Sequence, residues 1–154
     1  MKSLAILGST GSIGNSTLRI YKKNKSKFKL ISLSANKNIK KLVSQCNKFK
    51  PKHIFLINNN EKINNKRFLY FDDFIKKQKK KIDFVVSGLS GYEALEANIK
   101  LLKITKNLLI ANKETIICGG KLFLNLAKKN KCNIIPIDSE HHCINLYLKN
   151  MLNL

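Results

Sequence analysis

The order of apolar and amphipathic segments is the feature that most limits what this chain of 154 residues can fold into. Six short runs are continuously apolar, which is typical of strands buried on both faces of a parallel sheet. They cover residues 4–7, 28–33, 53–57, 84–86, 108–111 and 134–137. Amphipathic stretches between them predict helices over residues 16–23, 39–49, 73–79, 92–102 and 115–129. Alternating strands and helices predict an α/β fold: a doubly wound, mostly parallel sheet with helices on both faces.

A glycine-rich turn follows the first predicted strand and indicates a phosphate site. It reads Gly8-Ser9-Thr10-Gly11-Ser12-Ile13-Gly14, and an amphipathic helix follows. Glycines there let the backbone approach a pyrophosphate, and the helix N-terminus stabilises its negative charge. The spacing is G-x-x-G-x-x-G rather than G-x-G-x-x-G, so the placement between strand and helix carries the argument. A purely structural turn is the alternative; the pattern favours a Rossmann-like dinucleotide site.

The end of the second predicted strand bears on the choice of cofactor. Sites for NAD typically place an acidic residue there for the ribose hydroxyls. This chain instead has Ser34, Asn36, Lys37 and Asn38, with no acid. A lysine and hydrogen-bonding side chains suit a 2′-phosphate, which favours NADPH over NADH. The alternative is that a lysine-rich chain carries Lys37 here by chance.

Two further polar groups follow predicted strands at the sheet edge where α/β proteins bind ligands. Asn112, Lys113 and Glu114 could orient a nucleotide and a substrate, or simply begin the next helix. Asp138 and Glu140 lie two apart after the last strand, and such a pair suits Mg²⁺ or Mn²⁺. The alternative is a helix N-terminus capped by Asp138 or Ser139. A zinc site from residues 141–143 is disfavoured, because adjacent residues rarely converge on one ion.

The formal net charge of +21 invites a nucleic-acid hypothesis. The lysines are spread over the whole length, however, and the densest run, at residues 76–81, has neither arginine nor aromatic residues between them. A solvated lysine-rich surface is therefore the preferred interpretation. We expect no nucleic-acid partner.

The four cysteines show neither C-x-x-C pairs nor regular spacing, which argues against a zinc ribbon or a disulfide framework. The first apolar run is too short for a signal peptide. No run of eighteen apolar residues predicts a membrane helix. The expectation is a cytoplasmic protein with reduced thiols and no membrane partner.

Three motifs, taken in order, resemble the 1-deoxy-D-xylulose 5-phosphate reductoisomerase family. They are Gly8-Ser9-Thr10-Gly11-Ser12-Ile13-Gly14, Ala111-Asn112-Lys113-Glu114 and Pro136-Ile137-Asp138-Ser139-Glu140-His141. The resemblance implies NADPH-dependent and Mg²⁺- or Mn²⁺-assisted rearrangement and reduction of that sugar phosphate. The product would be 2-C-methyl-D-erythritol 4-phosphate, on the methylerythritol phosphate route to isoprenoids.

The resemblance also implies roles for individual residues. NADPH contacts fall on Gly8, Thr10, Gly11, Ser12, Ile13, Asn36, Lys37, Asn38, Asn112 and Glu114. Substrate contacts fall on Lys113, Ser139 and Glu140, of which Lys113 and Glu140 would be catalytic. Metal ligands would be Asp138 and Glu140. Asn36 stands where the family usually has glycine.

Members of this family are longer, and the resemblance implies which parts this sequence lacks. Residues 1–137 would form the NADPH-binding Rossmann-like domain, and residues 138–154 would begin the catalytic region. The third metal ligand, the lid and the C-terminal domain have no counterpart here, so we expect a second polypeptide to complete the enzyme. The family resemblance also implies a homodimer. Alternatives are another NADPH-dependent dehydrogenase that acylates a cysteine, for which Cys143 is the candidate, or a basic nucleic-acid-binding protein.

Overall fold

Strands and helices alternate along the part of the chain that the computed structural model describes, residues 1–57, 60–92 and 94–137. The strands are β1 (Lys2–Leu7), β2 (Phe28–Ala35), β3 (His53–Leu56), β4 (Ile82–Ser87), β5 (Thr105–Ile110) and β6 (Asn133–Pro136). The helices are α1 (Ser12–Lys23), α2 (Ile39–Phe49), α3 (Phe71–Lys77), α4 (Ala94–Leu102) and α5 (Lys113–Lys129). Each overlaps a predicted element.

The six strands form one parallel sheet in the order β3-β2-β1-β4-β5-β6. The chain winds outward from β1 to β3, then returns to pair β4 with the other side of β1. The order therefore reverses between β1 and β4, which is where doubly wound sheets form a crevice for ligands. The predicted fold class is confirmed.

Helices cover both faces of the sheet, which explains why the strands are apolar without alternation. Leu4 and Ile6 of β1 pack in a cluster with buried residues of α1 and α2. Ala5 and Leu7 of the same strand belong to a second cluster, built with residues of α3, α4 and α5. Successive side chains of a strand point to opposite faces, so both sets must be apolar.

Helical spacing of Ile116, Leu122, Leu126 and Ala127 predicts that these residues form the buried face of α5, and the structure buries a different set. Leu122, expected to be buried, is 65% exposed, whereas Phe123 is fully buried. The buried side runs through Thr115, Gly119, Phe123 and Ala127. Gly119 lies against Leu95 of α4, where a Cβ would come within 3.0 Å of that side chain. The backbone at Gly120 is non-helical, with φ of +45° and ψ of −136°, so the regular spacing that apolar periodicity assumes is interrupted before Leu122.

Asp83 links three strands at the amino end of the sheet, opposite the predicted ligand edge. Its Oδ2 accepts hydrogen bonds from the backbone N and Oγ of Ser3, each at 2.8 Å. Lys106 donates its Nζ to Oδ1 at 2.7 Å. The Lys106 and Ser3 donors hold the pKa of the Asp83 carboxyl well below its ordinary value. This edge is fixed by charge and hydrogen bonding.

Two other expectations concern a polar loop and membrane-spanning helices. The polar stretch at residues 58–66 predicts a loop. Residues 60–66, the described part of the loop predicted over 58–66, form neither helix nor strand. Within the described ranges, no helix is both long enough and apolar enough to cross a membrane.

Candidate dinucleotide-binding site

A cleft of about 570 Å³ opens at the carboxyl ends of β1, β2 and β4, where the strand order reverses. Its walls come from three segments: the first glycine loop (residues 8–11), residues 36–38 after β2, and the second glycine loop (residues 88–92) after β4. Ile57 and Ala94 complete the lining. The structure therefore brings together two of the predicted cofactor segments and one that the sequence reasoning missed.

The three glycines of the motif, two in the first loop and Gly14 in α1, are glycine for different physical reasons. Gly8 has φ of +69°, and a Cβ there would lie 2.6 Å from the carbonyl oxygen of Gly88. A Cβ on Gly14 would lie 2.4 Å from the carbonyl oxygen of Gly8. Gly11 is different, because its Cβ would meet only Gly8 O at an ordinary contact distance of 3.4 Å. Packing requires glycine at positions 8 and 14, whereas Gly11 leaves open space beside the cleft.

Helix α1 begins at Ser12, four residues earlier than predicted, and its N-terminus is formed by the glycine motif itself. Gly11 is the N-cap in an extended conformation, and no side chain caps the helix. The first turn contains no acidic residue. Uncapped N–H groups with the positive end of the helix dipole form a site for an anion. Ile13, in this turn, packs beneath Gly88.

A buried hydrogen-bond network fixes the first glycine loop against β2 and α2. Ser9 Oγ donates to Gln45 Oε1 at 2.7 Å and also lies 3.0 Å from Ser34 O. Gln45 Nε2 donates to Ser9 O at 2.9 Å, and the backbone N of Gly8 donates to Ser34 Oγ at 3.2 Å. The loop is thus held in shape before any ligand arrives.

Two side chains nearer the surface hold the same loop. Asn15 Nδ2 donates to the carbonyl oxygens of Thr10 and Gly11, at 3.1 and 2.6 Å. Lys41 Nζ reaches from α2 to Thr10 O at 2.8 Å. Sequence reasoning missed both, and also the contacts of Ser9 and Gln45. The partners of Lys41, Ser9 and Gln45 lie on elements distant in sequence, whereas Asn15 donates to nearby carbonyl oxygens. The one available signal was a glutamine on the apolar side of α2.

Residues 36–38 face the first glycine loop across the cleft. Asn36 is half-buried, and Lys37 and Asn38 are exposed. Asn38 Oδ1 accepts from the backbone N of Lys41 at 3.0 Å and so caps α2. No carboxylate is found among the described residues that line the cleft. The lining charge is therefore positive, as a phosphate-bearing ligand requires.

The family model for 1-deoxy-D-xylulose 5-phosphate reductoisomerase matches residues 4–120, which include both glycine loops and the start of α5. The chain belongs to this family. The reductoisomerase of Pelagibacter ubique (strain HTCC1062) is 39% identical over 94% of this chain, and that of Clostridium novyi (strain NT) is 38% identical over the same share. The match spans about 40% of the length of each of these relatives.

Solved reductoisomerase structures have the same fold. One, described with fosmidomycin and magnesium, superposes with a TM-score of 0.78 at 31% identity, covering 92% of this chain and 38% of that one. The Zymomonas mobilis reductoisomerase in complex with NADPH gives 0.77 at 25% identity, covering 91% and 39%. A homoserine dehydrogenase from Thiobacillus denitrificans gives 0.61 at 19% identity over 87% of this chain and 28% of that one, which shows the fold alone.

The Asn-Lys-Glu motif of the reductoisomerase resemblance lies beside this cleft rather than in its lining. Asn112 is buried, caps α5 by accepting from Thr115 N at 2.6 Å, and donates to Gly91 O at 3.1 Å. Lys113 is exposed, and Glu114 is half-buried in the first turn of α5. That placement agrees with the helix-start alternative, and cofactor or substrate contacts of these residues stay predictions.

The predicted metal and substrate residues Asp138, Ser139 and Glu140 lie outside the described residues, as does Cys143. In the part of the chain that is described, no cluster of three His, Cys, Asp or Glu side chains could hold a metal ion. The metal site therefore stays a prediction from the sequence.

Proposed function

We propose that this chain binds NADPH and supplies the nucleotide-binding part of a 1-deoxy-D-xylulose 5-phosphate reductoisomerase. The observation that carries the proposal is the open space at Gly11 beside the uncapped N-terminus of α1, in a cleft without carboxylates. Because packing does not require glycine at position 11, a ligand that approaches the backbone gives the reason for it. The proposed domain is residues 1–137, with residues 138–154 beginning the catalytic region.

In this proposal the pyrophosphate lies on the first glycine loop and the α1 N-terminus, and the 2′-phosphate lies among residues 36–38. The nicotinamide half then crosses β1 toward the second glycine loop, because dinucleotides span the reversal of strand order. When bound, NADPH supplies a hydride. The residues proposed for its binding are Gly8, Thr10, Gly11, Ser12, Ile13, Asn36, Lys37, Asn38, Asn112 and Glu114.

Lys37 gives the test of nucleotide specificity. We expect the chain to bind NADPH more tightly than NADH in a fluorescence titration, because Lys37 would pair with the 2′-phosphate. Lys37→Ala should reduce that preference about tenfold, equivalent to one charge-assisted contact. Lys29→Ala is the matched control, since Lys29 is an exposed lysine near the opposite end of the same strand. Equal affinity of the unaltered chain for both nucleotides would reject the assignment.

The proposed reaction is the conversion of 1-deoxy-D-xylulose 5-phosphate to 2-C-methyl-D-erythritol 4-phosphate. Lys113, Ser139 and Glu140 are proposed to contact substrate, with Lys113 and Glu140 catalytic, and Asp138 and Glu140 to ligate Mg²⁺ or Mn²⁺. A divalent ion would stabilise negative charge on substrate oxygens. The similarity of the motifs supports these roles, and Asp138→Asn is expected to weaken Mn²⁺ binding measured by paramagnetic relaxation.

Turnover, in the cytoplasm, is proposed to need the reductoisomerase segments that the match with the relatives does not include, which a second polypeptide could supply. A homodimer is also proposed. We expect this chain by itself to bind NADPH but not to oxidise it with 1-deoxy-D-xylulose 5-phosphate and Mg²⁺. Adding a polypeptide that carries those segments should restore NADPH oxidation, measured as a fall in absorbance at the NADPH band. Robust turnover by this chain by itself would reject the requirement for a partner.

A further inference from the structure

Four buried polar residues are joined by hydrogen bonds beneath the second glycine loop, and the link between Thr115 and Asn112 is made by the backbone N of Thr115. Ser87 Oγ donates to Asn98 Oδ1 at 2.7 Å, and Asn98 Nδ2 donates to Thr115 Oγ1 at 2.9 Å. The backbone N of Thr115 donates to Asn112 Oδ1, and Asn112 Nδ2 donates to Gly91 O at 3.1 Å. We call these residues, Ser87, Asn98, Thr115 and Asn112, the Asn98 network.

Burying the polar groups of the Asn98 network costs desolvation free energy, which indicates that the network has a specific role. Ser87, Asn98 and Thr115 are fully buried, and Asn112 is 3% exposed. An apolar side chain at position 98 would fill the same interior without the desolvation penalty of an amide. Because every member has a partner, the network favours one arrangement of β4, α4 and α5 over its alternatives.

The network ends on the wall of the cleft. Gly91 lines the cleft, and its carbonyl oxygen accepts from Asn112 Nδ2 and from the backbone N of Ala94 at 3.3 Å. Gly91 has φ of +78°, and a Cβ there would meet nothing within 4 Å. Packing therefore does little to fix this turn, and the Asn112 contact holds it from below.

We infer that Asn98 is a positioning residue that sets the second glycine loop for the nicotinamide half of NADPH, acting through Thr115 and Asn112. This inference rests on the proposed NADPH function. It predicts that disturbing the network weakens the binding of the nicotinamide half of NADPH. The adenosine half, held by the first glycine loop and residues 36–38, should be unaffected.

The test compares two probes on the full chain: NADPH, and 2′,5′-ADP, which lacks the nicotinamide half. Asn98→Leu and Thr115→Val should raise the NADPH dissociation constant about fivefold to tenfold and leave that of 2′,5′-ADP within about twofold. Thr115→Ser, which retains the hydroxyl acceptor, should restore NADPH binding. Ser87→Ala, which leaves the path from Asn98 to Gly91 intact, should have the smallest effect.

Amide hydrogen exchange without ligand gives a second readout. Asn98→Leu should accelerate exchange in residues 88–92 and leave residues 8–11 unchanged. Unaltered NADPH binding in both network variants would overturn the inference. The inference would also be overturned if affinity for both probes fell equally and exchange became faster in both loops. That result would mean that the substitution loosens the whole fold. Failure of the unaltered chain to bind either probe rejects the proposed function instead, and the exchange data then still decide whether Asn98 positions the loop.

Discussion

The two glycine loops meet at Gly8 and Gly88 but are held in different ways. The first is fixed at several backbone carbonyls, because Gln45, Asn15 and Lys41 donate to Ser9, Thr10 and Gly11. The second receives one described side-chain hydrogen bond, from Asn112 to Gly91. Packing shows the same contrast, since a Cβ on Gly14 meets backbone at 2.4 Å, whereas one on Gly91 meets nothing.

The difference shows that one wall of the crevice is held by several side-chain hydrogen bonds and the other, among the described residues, by one. A phosphate is bound best by donors already in place, because no ordering remains to be done on binding. The second glycine loop, which we propose faces the nicotinamide half, is linked to one buried network, so a single substitution is expected to alter it without disturbing the phosphate side. The following changes test that contrast, in order of decreasing effect.

Gly14→Ala should have the largest effect, a loss of about 3 kcal/mol in the free energy of unfolding, because the new Cβ meets backbone atoms that cannot move aside. Gly11→Ala is the comparison at the open position. It should lose no more than about 1 kcal/mol, since alanine is a poorer N-cap than glycine. NADPH affinity should nevertheless fall about tenfold. Urea denaturation and NADPH titration measure both, and equal destabilisation by the two variants would contradict the distinction.

Asp83→Asn tests the opposite edge of the sheet. It should lower the free energy of unfolding by about 2 kcal/mol without changing NADPH affinity. Because the folded-state pKa of Asp83 is depressed, its contribution is present above the unfolded-state pKa of about 4 and is lost as the pH falls further. The stability difference between the two proteins should therefore shrink progressively as the pH falls from about 4 toward the depressed folded-state pKa of Asp83. Persistence of the full difference at low pH would show that charge is not the cause.

Gln45→Leu tests the wall formed by the first glycine loop. The substitution leaves Ser9 O without its side-chain donor, at an expected loss of about 1–2 kcal/mol in unfolding free energy. Both NADPH and 2′,5′-ADP should bind less tightly, because the phosphate loop serves both. Ser44→Ala, an exposed change on the same helix, is the control. If Gln45→Leu weakened the binding of NADPH but not of 2′,5′-ADP, a change at the first loop would be acting on the second, and the two loops would not be separable.

Gly91→Ala should have the smallest effect, about 1 kcal/mol, arising from the positive φ of that residue and not from packing. Thermal unfolding measures it. Gly91→Asn, which tolerates the left-handed conformation better, should recover part of the loss. A larger loss for asparagine than for alanine would show that the space around Gly91 is not open.

Much of the fold could be predicted because the relevant signals are local. Continuous apolar runs at residues 4–7 and 108–111 can be buried only if both faces of the sheet are covered, which implies crossover helices. The glycine motif likewise implies a turn between strand and helix. The face of α5 could not be predicted, because the non-helical backbone at Gly120 interrupts the spacing that relates Ile116 to Leu122, and Phe123 is buried instead.

The sequence by itself determined the α/β class and the glycine turn between β1 and α1, and it predicted a phosphate site there and at the polar residues after β2, since each depends on neighbours along the chain. Only the tertiary structure decided the strand order, and with it the crevice between β1 and β4. It also decided that Gly88 and Gly91 complete that crevice, that Gln45 donates to the first glycine loop, and that Asn98 joins Ser87 of β4 to Thr115 of α5. The physical reason is that their partners lie on other strands and helices, so no local pattern encodes them.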